Sequence, residues 1–383
     1  MSGGPGLAVA FCGGYGAGGT GIVRYQRELI DAFLDHQARH DPAGSSLLFT
    51  PFNRSGRPSG LPAACGHRRS AIPGKLQKLA NRAIGLPIER QLPSLAGVDL
   101  IHSLVPEAIH TRRPWLVTVH DVAWRSQGPG YAAVFPRSMQ RSAEASIRDA
   151  SHLVAVSRFT ADELIAGGVA RQRISVIYQG IPMPPPPAAS DGPDGPDNPD
   201  GLAGLELPER FVLSVGTFHP RKNLALIARA YARADSADLL PCLLVGPPPP
   251  QPLAALGVDG HRLRHLGYLD DALLTALLRR ATALIFPSRH EGFGRPLIEA
   301  MALGLPVVAS AIPVFRELAG DDALFVEVDA SDADRQLAEQ LRRLAADPGL
   351  AADLAERGRR SAARFSWQRC CEELQQLYLR WAA

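Results

Sequence analysis

Long apolar runs, lysine and closely spaced cysteines are all scarce in this chain of 383 residues. No stretch approaches eighteen consecutive apolar residues, so no transmembrane helix is predicted. The five cysteines show no C-x-x-C spacing. Neither a zinc site nor a disulfide framework is therefore predicted, and reduced thiols in the cytoplasm are expected. The apolar run at residues 7–12 has no basic segment before it and is too short to predict a signal peptide.

The composition, 46% hydrophobic and 21% charged, is typical of a soluble globular protein. Its length favours two domains. The net charge of +3 hides an asymmetry: residues 1–181 carry 20 basic and 12 acidic side chains, whereas residues 182–383 carry 21 and 26. A basic first half indicates an anionic partner, either a phosphate-bearing substrate or an acidic membrane surface. No nucleic-acid partner is predicted.

Short apolar runs alternate with helical patterns along most of the chain, which is typical of α/β proteins with parallel sheets. The predicted strands are 7–11, 47–50, 99–102, 115–119, 152–156, 174–177, 211–216, 240–246, 283–288, 306–310 and 323–328. The predicted helices are 21–36, 137–149, 158–167, one from about 223, one near 270–280 and one from 296.

Residues 182–208 interrupt this rhythm, because proline, glycine and aspartate dominate and no apolar periodicity survives. They are predicted to form a linker or a large surface loop. The chain then divides into a first domain of residues 1–181, a second of residues 209–365, and an amphipathic helix at 366–383. We predict two doubly wound α/β domains, with ligands bound beyond the carboxyl ends of their strands.

The segment 287–310, PSRHEGFGRPLIEAMALGLPVVAS, carries two glutamates around a glycine turn. Pro296 suits the first turn of a helix, where its missing N–H costs nothing. Glu291 then lies in the loop, and Glu299 lies in the first helical turn or just after it. A glycine turn lets a ligand approach the backbone, and the helix N-terminus favours an anion such as a diphosphate. The alternative is a solvated Glu299 that only complements the helix dipole.

A second strand-loop-helix unit, SVGTFHPRKN, places Arg221 and Lys222 at the start of a helix. Basic residues usually avoid this end, where the helix dipole is already positive. Two cations there are consistent with a strongly anionic group between them. A solvated basic turn is the alternative interpretation.

His120 and Asp121 follow the predicted buried strand 115–119 directly. A histidine at this end of a strand can donate to a substrate hydroxyl or exchange protons near neutral pH. A purely structural histidine is the alternative.

Three further segments carry weaker signals. The glycine loop 13–21 resembles a dinucleotide fingerprint, but no acidic residue ends a second strand about 20 residues later, as NAD binding would require. Residues 67–92 are basic with interspersed Ile and Leu, and form either a solvated helical face or a contact with an anionic membrane. Asp332 and Asp334 belong to a predicted helix cap and are assigned no metal.

The motifs, in their order, resemble those of retaining glycosyltransferases of family four. VTVHD, HLVAVSRFTADEL, ISVIYQGI, VGTFHPRKNL and the segment 287–310 cover nearly the whole chain. The E-x7-E segment and the R-K-N turn are the specific part, and the latter particularly resembles bacterial mannosyl- and rhamnosyltransferases of polysaccharide and glycolipid assembly. The resemblance implies the GT-B fold, in which two Rossmann-like domains face a central cleft, and a hexosyltransferase that uses a nucleotide sugar.

The resemblance also implies roles for individual residues. Arg221 and Lys222 would hold the donor's diphosphate, and Glu299 would bind the ribose. Glu291 would hold the donor sugar, and His120 would contact that sugar near its reacting face. The helix 366–383 would cross back onto the first domain. The remaining residues expected to bind substrate are Gly18, Gly19, Gly21, Asp121, Gly216, Gly292, Phe293 and Gly294.

The implied partners are a nucleotide-sugar donor, with GDP-mannose favoured, and a glycan, glycolipid or small-molecule acceptor. No metal or other cofactor is implied, because the protein supplies the cations. The expected location is cytoplasmic, with peripheral contact at the inner face of the cell membrane through residues 67–92.

Three departures from the family pattern concern Arg295, which stands where an aliphatic residue is usual, the long segment 182–208, and the extended glycine loop. Rival hypotheses are an epimerase or phosphorylase on the same fold, a non-catalytic binding module for sugar nucleotides, and an NAD-dependent oxidoreductase. Product formation without acceptor distinguishes the first of these, and nicotinamide binding distinguishes the last.

Overall fold

The computed structural model divides the chain into two compact units. The first unit contains residues Met1–Gly180 and Phe365–Ala383, and the second contains Ile181–Arg364. The C-terminal helix therefore belongs to the first unit, although the whole second unit precedes it in the chain. The structure describes residues 6–16, 21–50, 57–68, 76, 84–126, 135–182, 200–248 and 260–382.

The first unit is built on a seven-stranded parallel sheet with the order β3-β2-β1-β4-β5-β6-β7. Its strands are β1 Ala8–Cys12, β2 Ser45–Phe49, β3 Gly66–Arg68, β4 Leu100–Ser103, β5 Trp115–Val119, β6 His152–Ala155 and β7 Ile174–Val176. Its described helices are α1 Gly21–His40, α2 Ile88–Gln91, α3 Arg137–Asp149, α4 Arg158–Ala166 and, from the C-terminus, α11 Trp367–Ala382.

Alternate residues of each strand enter the two sides of this sheet, because successive side chains of a strand point to opposite faces. In β1, Val9 and Phe11 pack with α1 and α11, whereas Ala10 and Cys12 belong to a second apolar cluster. Both faces are thus covered. This explains why the central strands β4, β5 and β6 are buried along their whole length and are mostly apolar in sequence.

The second unit is built on a six-stranded parallel sheet with the order β10-β9-β8-β11-β12-β13. Its strands are β8 Val212–Val215, β9 Cys242–Val245, β10 Leu263–Gly267, β11 Ala283–Phe286, β12 Val307–Ser310 and β13 Leu324–Val326. Its described α-helices are α5 Leu224–Ala232, α6 Asp271–Arg280, α7 Arg295–Leu303, α8 Pro313–Ala319, α9 Ala333–Ala346 and α10 Pro348–Ala362.

In each sheet the order in which the chain adds strands reverses once. In the first unit the chain winds outward from β1 and returns to place β4 beside it, and in the second unit β11 is placed beside β8 in the same way. Ligands of doubly wound sheets bind at such switch points, beyond the carboxyl ends of the strands. The loops after β8 and β11 are therefore the expected binding region of the second unit.

The predicted α/β fold with two doubly wound domains is confirmed. The strands β3 and β10 and the helices α8 and α10 were not predicted from the pattern. All five cysteines are free and buried. Among the described helices, none combines the length and the apolar composition needed to cross a membrane.

Candidate active site

The loop that follows β8 carries the predicted pair of cations. His219 begins a single 3-10 turn, Pro220–Lys222, and its Nδ1 accepts a hydrogen bond of 3.1 Å from the N–H of Arg221. Asn223 then adopts a left-handed conformation with φ of 53°, and α5 starts after it. Arg221 and Lys222 therefore lie on the turn just before a helix N-terminus, where the sequence placed them.

Glu291, in the loop after β11, meets both cations. Its Oε1 accepts a hydrogen bond of 2.5 Å from Nζ of Lys222, and its Oε2 accepts one of 2.9 Å from Nη1 of Arg221. The hydroxyl of Ser288 donates a third hydrogen bond to Oε1 at 2.8 Å. Only 7% of Glu291 is exposed. The two loops at the switch point are thus joined by a buried ion-pair cluster, which we call the switch-point cluster: Arg221, Lys222, Ser288 and Glu291.

The cluster keeps the Glu291 carboxylate charged. Burial alone would raise the pKa of this carboxyl, but the charges of Lys222 and Arg221, with the hydrogen bonds from Lys222 and Ser288, lower that pKa to about 2. A buried carboxylate is stable only when it is paired and hydrogen-bonded. Glu291 therefore fixes two positive charges at the end of the sheet.

Further contacts hold the two loops together. Nη1 of Arg221 also donates to the carbonyl oxygen of His290 at 3.0 Å, and the N–H of Arg289 donates to the carbonyl oxygen of Arg221 at 2.8 Å. The Nζ atom of Lys222 lies 5.1 Å from the ring centroid of Phe286, the last residue of β11. Such cation–π contact adds a second restraint on the ammonium group.

The glycine turn that follows is tightly packed. Gly292, Phe293 and Gly294 are buried, and Gly294 has a φ of 93°. A Cβ atom on Gly294 would lie 2.5 Å from the Phe315 ring, so this position requires glycine for both conformation and space. Gly246 is constrained in a similar way, because a Cβ atom there would lie 2.0 Å from the carbonyl oxygen of Gly216, the residue that follows β8.

Glu299 lies one turn inside α7, which begins at Arg295, one residue before the start that Pro296 indicated. Oε1 of Glu299 lies 3.2 Å from Nη2 of Arg295, and both side chains are largely buried. Glu299 is therefore part of a buried ion pair, in contrast to the solvated alternative considered from the sequence.

The predicted residues of the first unit occupy the end of β5. Nε2 of His120 lies 3.0 Å from the carbonyl oxygen of Leu104, an acceptor, so this nitrogen carries the proton and a neutral ring has Nδ1 as its acceptor. Oδ1 of Asp121 accepts from the N–H of Ala123 at 3.1 Å. Gly21 is the first residue of α1, whereas Gly18 and Gly19 lie outside the described residues.

A chain of buried polar side chains leads to the Tyr25 ring, which packs against His120. Nδ1 of His102 lies 2.5 Å from the Tyr378 hydroxyl on α11, and its Nε2 lies 2.8 Å from Oγ1 of Thr118. Thr118 Oγ1 is 3.3 Å from the hydroxyl of Tyr25, whose ring packs edge-on against His120 at 4.7 Å between centroids. Burial, with a smaller contribution from the charge of His120, lowers the pKa of His102 to about 3, so its ring is neutral near pH 7.

Sequence reasoning did not identify Ser288 as a site residue, and it did not identify the pairing of Arg295 with Glu299. It also missed one chain of buried polar residues: Tyr25, His102, Thr118 and Tyr378. Ser288 had a usable signal, because it follows the proline that ends the β11 run. The polar chain had none, because its members come from four separate elements. The structure brings Arg221, Lys222 and Glu291 together in the second unit and places His120 and Asp121 in the first.

Two family models match the chain in succession. The model for Glycosyltransferase Family 4 matches residues 20–183, and the model for glycosyl transferases group 1 matches residues 203–361. Together they cover most of the chain. This chain belongs to glycosyltransferase family four. The family and the hexosyltransferase class predicted from the sequence are thereby confirmed.

Two relatives illustrate the match. O-antigen chain mannosyltransferase B of Escherichia coli is 28% identical over 268 residues, which is 67% of this chain and 67% of that protein. The serotype-specific mannosyltransferase WbdA of Escherichia coli is 32% identical over 171 residues, which is 42% of this chain and 20% of WbdA. The chain thus spans a fifth of WbdA.

Two solved structures share the fold. Sucrose-phosphate synthase of Thermosynechococcus elongatus superposes with a TM-score of 0.72 at 23% identity, covering 98% of each chain. Anabaena HepE, solved in complex with UDP and glucose, gives a TM-score of 0.68 at 19% identity, covering 97% of this chain and 99% of its own. The GT-B class predicted from the sequence is confirmed at the level of the fold.

Proposed function

We propose that this family-four glycosyltransferase transfers a hexose, with retention of configuration and without a metal, from a nucleotide-diphosphate sugar to a hydroxyl group. Mannose from GDP-mannose is the favoured donor sugar, ahead of rhamnose or glucose. The acceptor is a glycan, a glycolipid or a small molecule. The single observation that carries this proposal is the switch-point cluster, in which two fixed cations lie beside a helix N-terminus.

The charge distribution of the cluster suits the reaction. Transfer from a nucleotide sugar develops positive charge on the sugar and negative charge on the departing diphosphate. Groups that are fixed in advance where charge develops stabilise the transition state more than the ground state. The Lys222 ammonium carries three donors, and Glu291 accepts from one of them, so pairing orients Lys222 without using all its capacity. Lys222, Arg221 and the N-terminus of α5 supply that stabilisation.

Retention follows if the acceptor attacks from the face that the diphosphate leaves. The bond between the anomeric carbon and the phosphate oxygen breaks, the acceptor oxygen bonds to that carbon, and its proton passes to the departing phosphate oxygen. Glu291 is a poor candidate for a covalent nucleophile, because each of its oxygens already accepts from a cation. Its low pKa suits a carboxylate that stays charged and positions its partners.

Donor and acceptor are inferred from the relatives. The matched Escherichia coli proteins are named as mannosyltransferases, one of them of the O-antigen chain. HepE was solved with UDP and glucose. These names support a hexose donor and a glycan or lipid-linked acceptor for this chain. Metal independence is proposed because Arg221 and Lys222 provide the charge that a divalent ion would otherwise supply.

The assignment is tested by measuring sugar transfer from GDP-mannose, UDP-glucose and dTDP-rhamnose to acceptor extracts, with and without EDTA. We expect transfer from one of these donors, at a rate that EDTA does not change. Lys222→Ala should lower the rate of this transfer by about 100-fold or more, the usual cost of losing a group that stabilises developing charge. Arg289→Ala is the matched control, since Arg289 is a basic residue of the other loop at this switch point, the one after β11, but its side chain pairs with Asp329 at the surface.

Normal turnover by Lys222→Ala would remove the basis of the proposal. Formation of an altered sugar nucleotide without any acceptor would instead favour the epimerase or phosphorylase alternative. Location at the inner face of the membrane through residues 67–92 stays a prediction, since most of that segment lies outside the described residues.

A further inference from the structure

Arg295 occupies an electrostatically costly position. It is the first residue of α7, where the helix dipole is already positive, and only 7% of it is exposed. A buried guanidinium needs an anion close by, because removing an unpaired charge from water is costly. The conformation of Gly294 and the packing of its neighbours fix where this helix starts, so the cation is held beside the glycine turn.

Glu299 supplies such an anion from the next turn of the same helix. The contact joins Nη2 of Arg295 and Oε1 of Glu299 at 3.2 Å, and 15% of the Glu299 side chain is exposed against 7% of Arg295. An exposed pair of this spacing, with the basic residue first, contributes little to helix stability. Burial reduces the screening by water, so this pair restrains both side chains more strongly, with the carboxylate as its more accessible member.

We propose that Arg295 is a positioning residue that sets the nucleotide's ribose recognition, by holding the Glu299 carboxylate in one orientation. The inference rests on the proposed function and on the ribose-binding role that the family resemblance implies for Glu299. Two vicinal hydroxyls match a carboxylate whose orientation is fixed, and hydrogen bonds to a charged acceptor are the stronger kind. With an aliphatic side chain at position 295, Glu299 would lose this partner and the restraint it provides.

The test measures the affinity of the full chain for GDP, UDP and their 2′-deoxy and 3′-deoxy forms by titration calorimetry. We expect the wild type to bind the ribonucleotide about tenfold tighter than a deoxy form, as the loss of one charge-assisted hydrogen bond implies. Arg295→Leu should bind the ribonucleotide about tenfold more weakly and lose most of that discrimination. Arg295→Gln, which is neutral, polar and too short to reach Glu299 as the guanidinium does, should behave in the same way and guards against a folding defect of the leucine variant.

The matched control is Arg335→Leu. Arg335 pairs with Glu339 at the same spacing and in the same order on α9, also in the second unit, but both side chains are more than half exposed. This variant should bind nucleotides as the wild type does. If Arg295 acts through the carboxylate, the double variant Arg295→Leu, Glu299→Ala should bind no more weakly than Glu299→Ala alone.

Two results separate this inference from the function on which it rests. If Glu299→Ala loses ribose discrimination while both Arg295 variants keep it, the ion pair is only structural and this inference is wrong. If the wild type binds none of these nucleotides, or Glu299→Ala discriminates as well as the wild type, the donor-site assignment fails and the inference fails with it.

Discussion

At the scale of single residues, Glu291 is expected to affect the binding of the donor and the rate of sugar transfer in opposite ways. It opposes the charges of Arg221 and Lys222 at distances of 2.9 Å and 2.5 Å, and a bound diphosphate would be attracted by the same two cations. Glu291 therefore weakens the attraction of the site for an anion while it fixes the geometry that transfer needs. In such a site, the fixed orientation of the two cations contributes more to the rate of transfer than the affinity for the donor does.

Glu291→Gln should therefore lower the turnover of sugar transfer by about 100-fold without weakening the binding of a nucleoside diphosphate. The neutral amide removes the competing negative charge, but it also releases the two cations from their fixed positions. Steady-state kinetics and calorimetry measure the two effects separately. A parallel loss of turnover and nucleotide affinity would show that Glu291 acts mainly through donor binding.

The same carboxylate predicts how stability depends on pH. Its pKa in the folded chain is about 2, below the ordinary value of 4.5. A lowered pKa contributes stability above about pH 4.5, and that contribution is lost as the pH falls through about 2. The shift corresponds to about 3 kcal/mol at neutral pH. Denaturant titrations between pH 5 and pH 2 should show a smaller loss in Glu291→Gln than in the wild type, and equal losses would contradict the prediction.

At the scale of elements, the central strands were predictable, and so were the edge strands β7 and β13, whereas the edge strands β3 and β10 were not. β8 and β11 are buried on both faces, so their sequences VLSV and ALIF read as apolar runs. β3 and β10 lie at the sheet edges with one neighbour each, and their sequences GHR and LRHLG carry basic residues in place of a run. A strand that is covered less need not be apolar, so pattern alone does not distinguish it from a loop.

The candidate site was predictable in its residues but not in its pairings. Arg221 and Glu291 were found because each follows a buried strand. Their contact depends on β8 and β11 being neighbours, and this follows from strand order, which periodicity in the sequence does not reveal. The pair of Arg295 and Glu299 is local, four residues apart on one helix, and its spacing was visible in the sequence. Its burial was not.

The contact between Tyr378 on α11 and His102 on β4 predicts that the Tyr378 hydroxyl stabilises the first unit. Tyr378→Phe keeps the buried ring but leaves Nδ1 of His102 without its contact to the hydroxyl at 2.5 Å. Leaving a buried polar atom unpaired costs about 1–3 kcal/mol. The free energy of unfolding, measured in urea, should fall by that amount. Tyr268→Phe, the same change at an exposed tyrosine, should have little effect, and equal effects of the two variants would contradict the importance of the buried contact.

At the scale of the whole molecule, the chain order ties the folding of the first unit to the last helix. α11 contributes Cys370, Cys371, Leu374, Leu377 and Tyr378 to the apolar cluster that also contains Phe11 and Phe33. The first unit therefore completes its core only after the second unit has been synthesised. All members of the switch-point cluster, by contrast, lie between residues 181 and 364.

A chain that ends at Arg364 separates the two units experimentally. Without α11, the first unit exposes one side of its core and should unfold or become sensitive to protease, because burial of apolar area is its main source of stability. The second unit keeps its sheet and its switch-point cluster, so a nucleoside diphosphate should still bind within about threefold of its affinity for the full chain. Limited proteolysis followed by mass spectrometry identifies the surviving fragment, and calorimetry measures the affinity. If the first unit stays resistant to protease, α11 contributes little to its core; if the surviving fragment loses the nucleotide, the first unit contributes to donor binding directly.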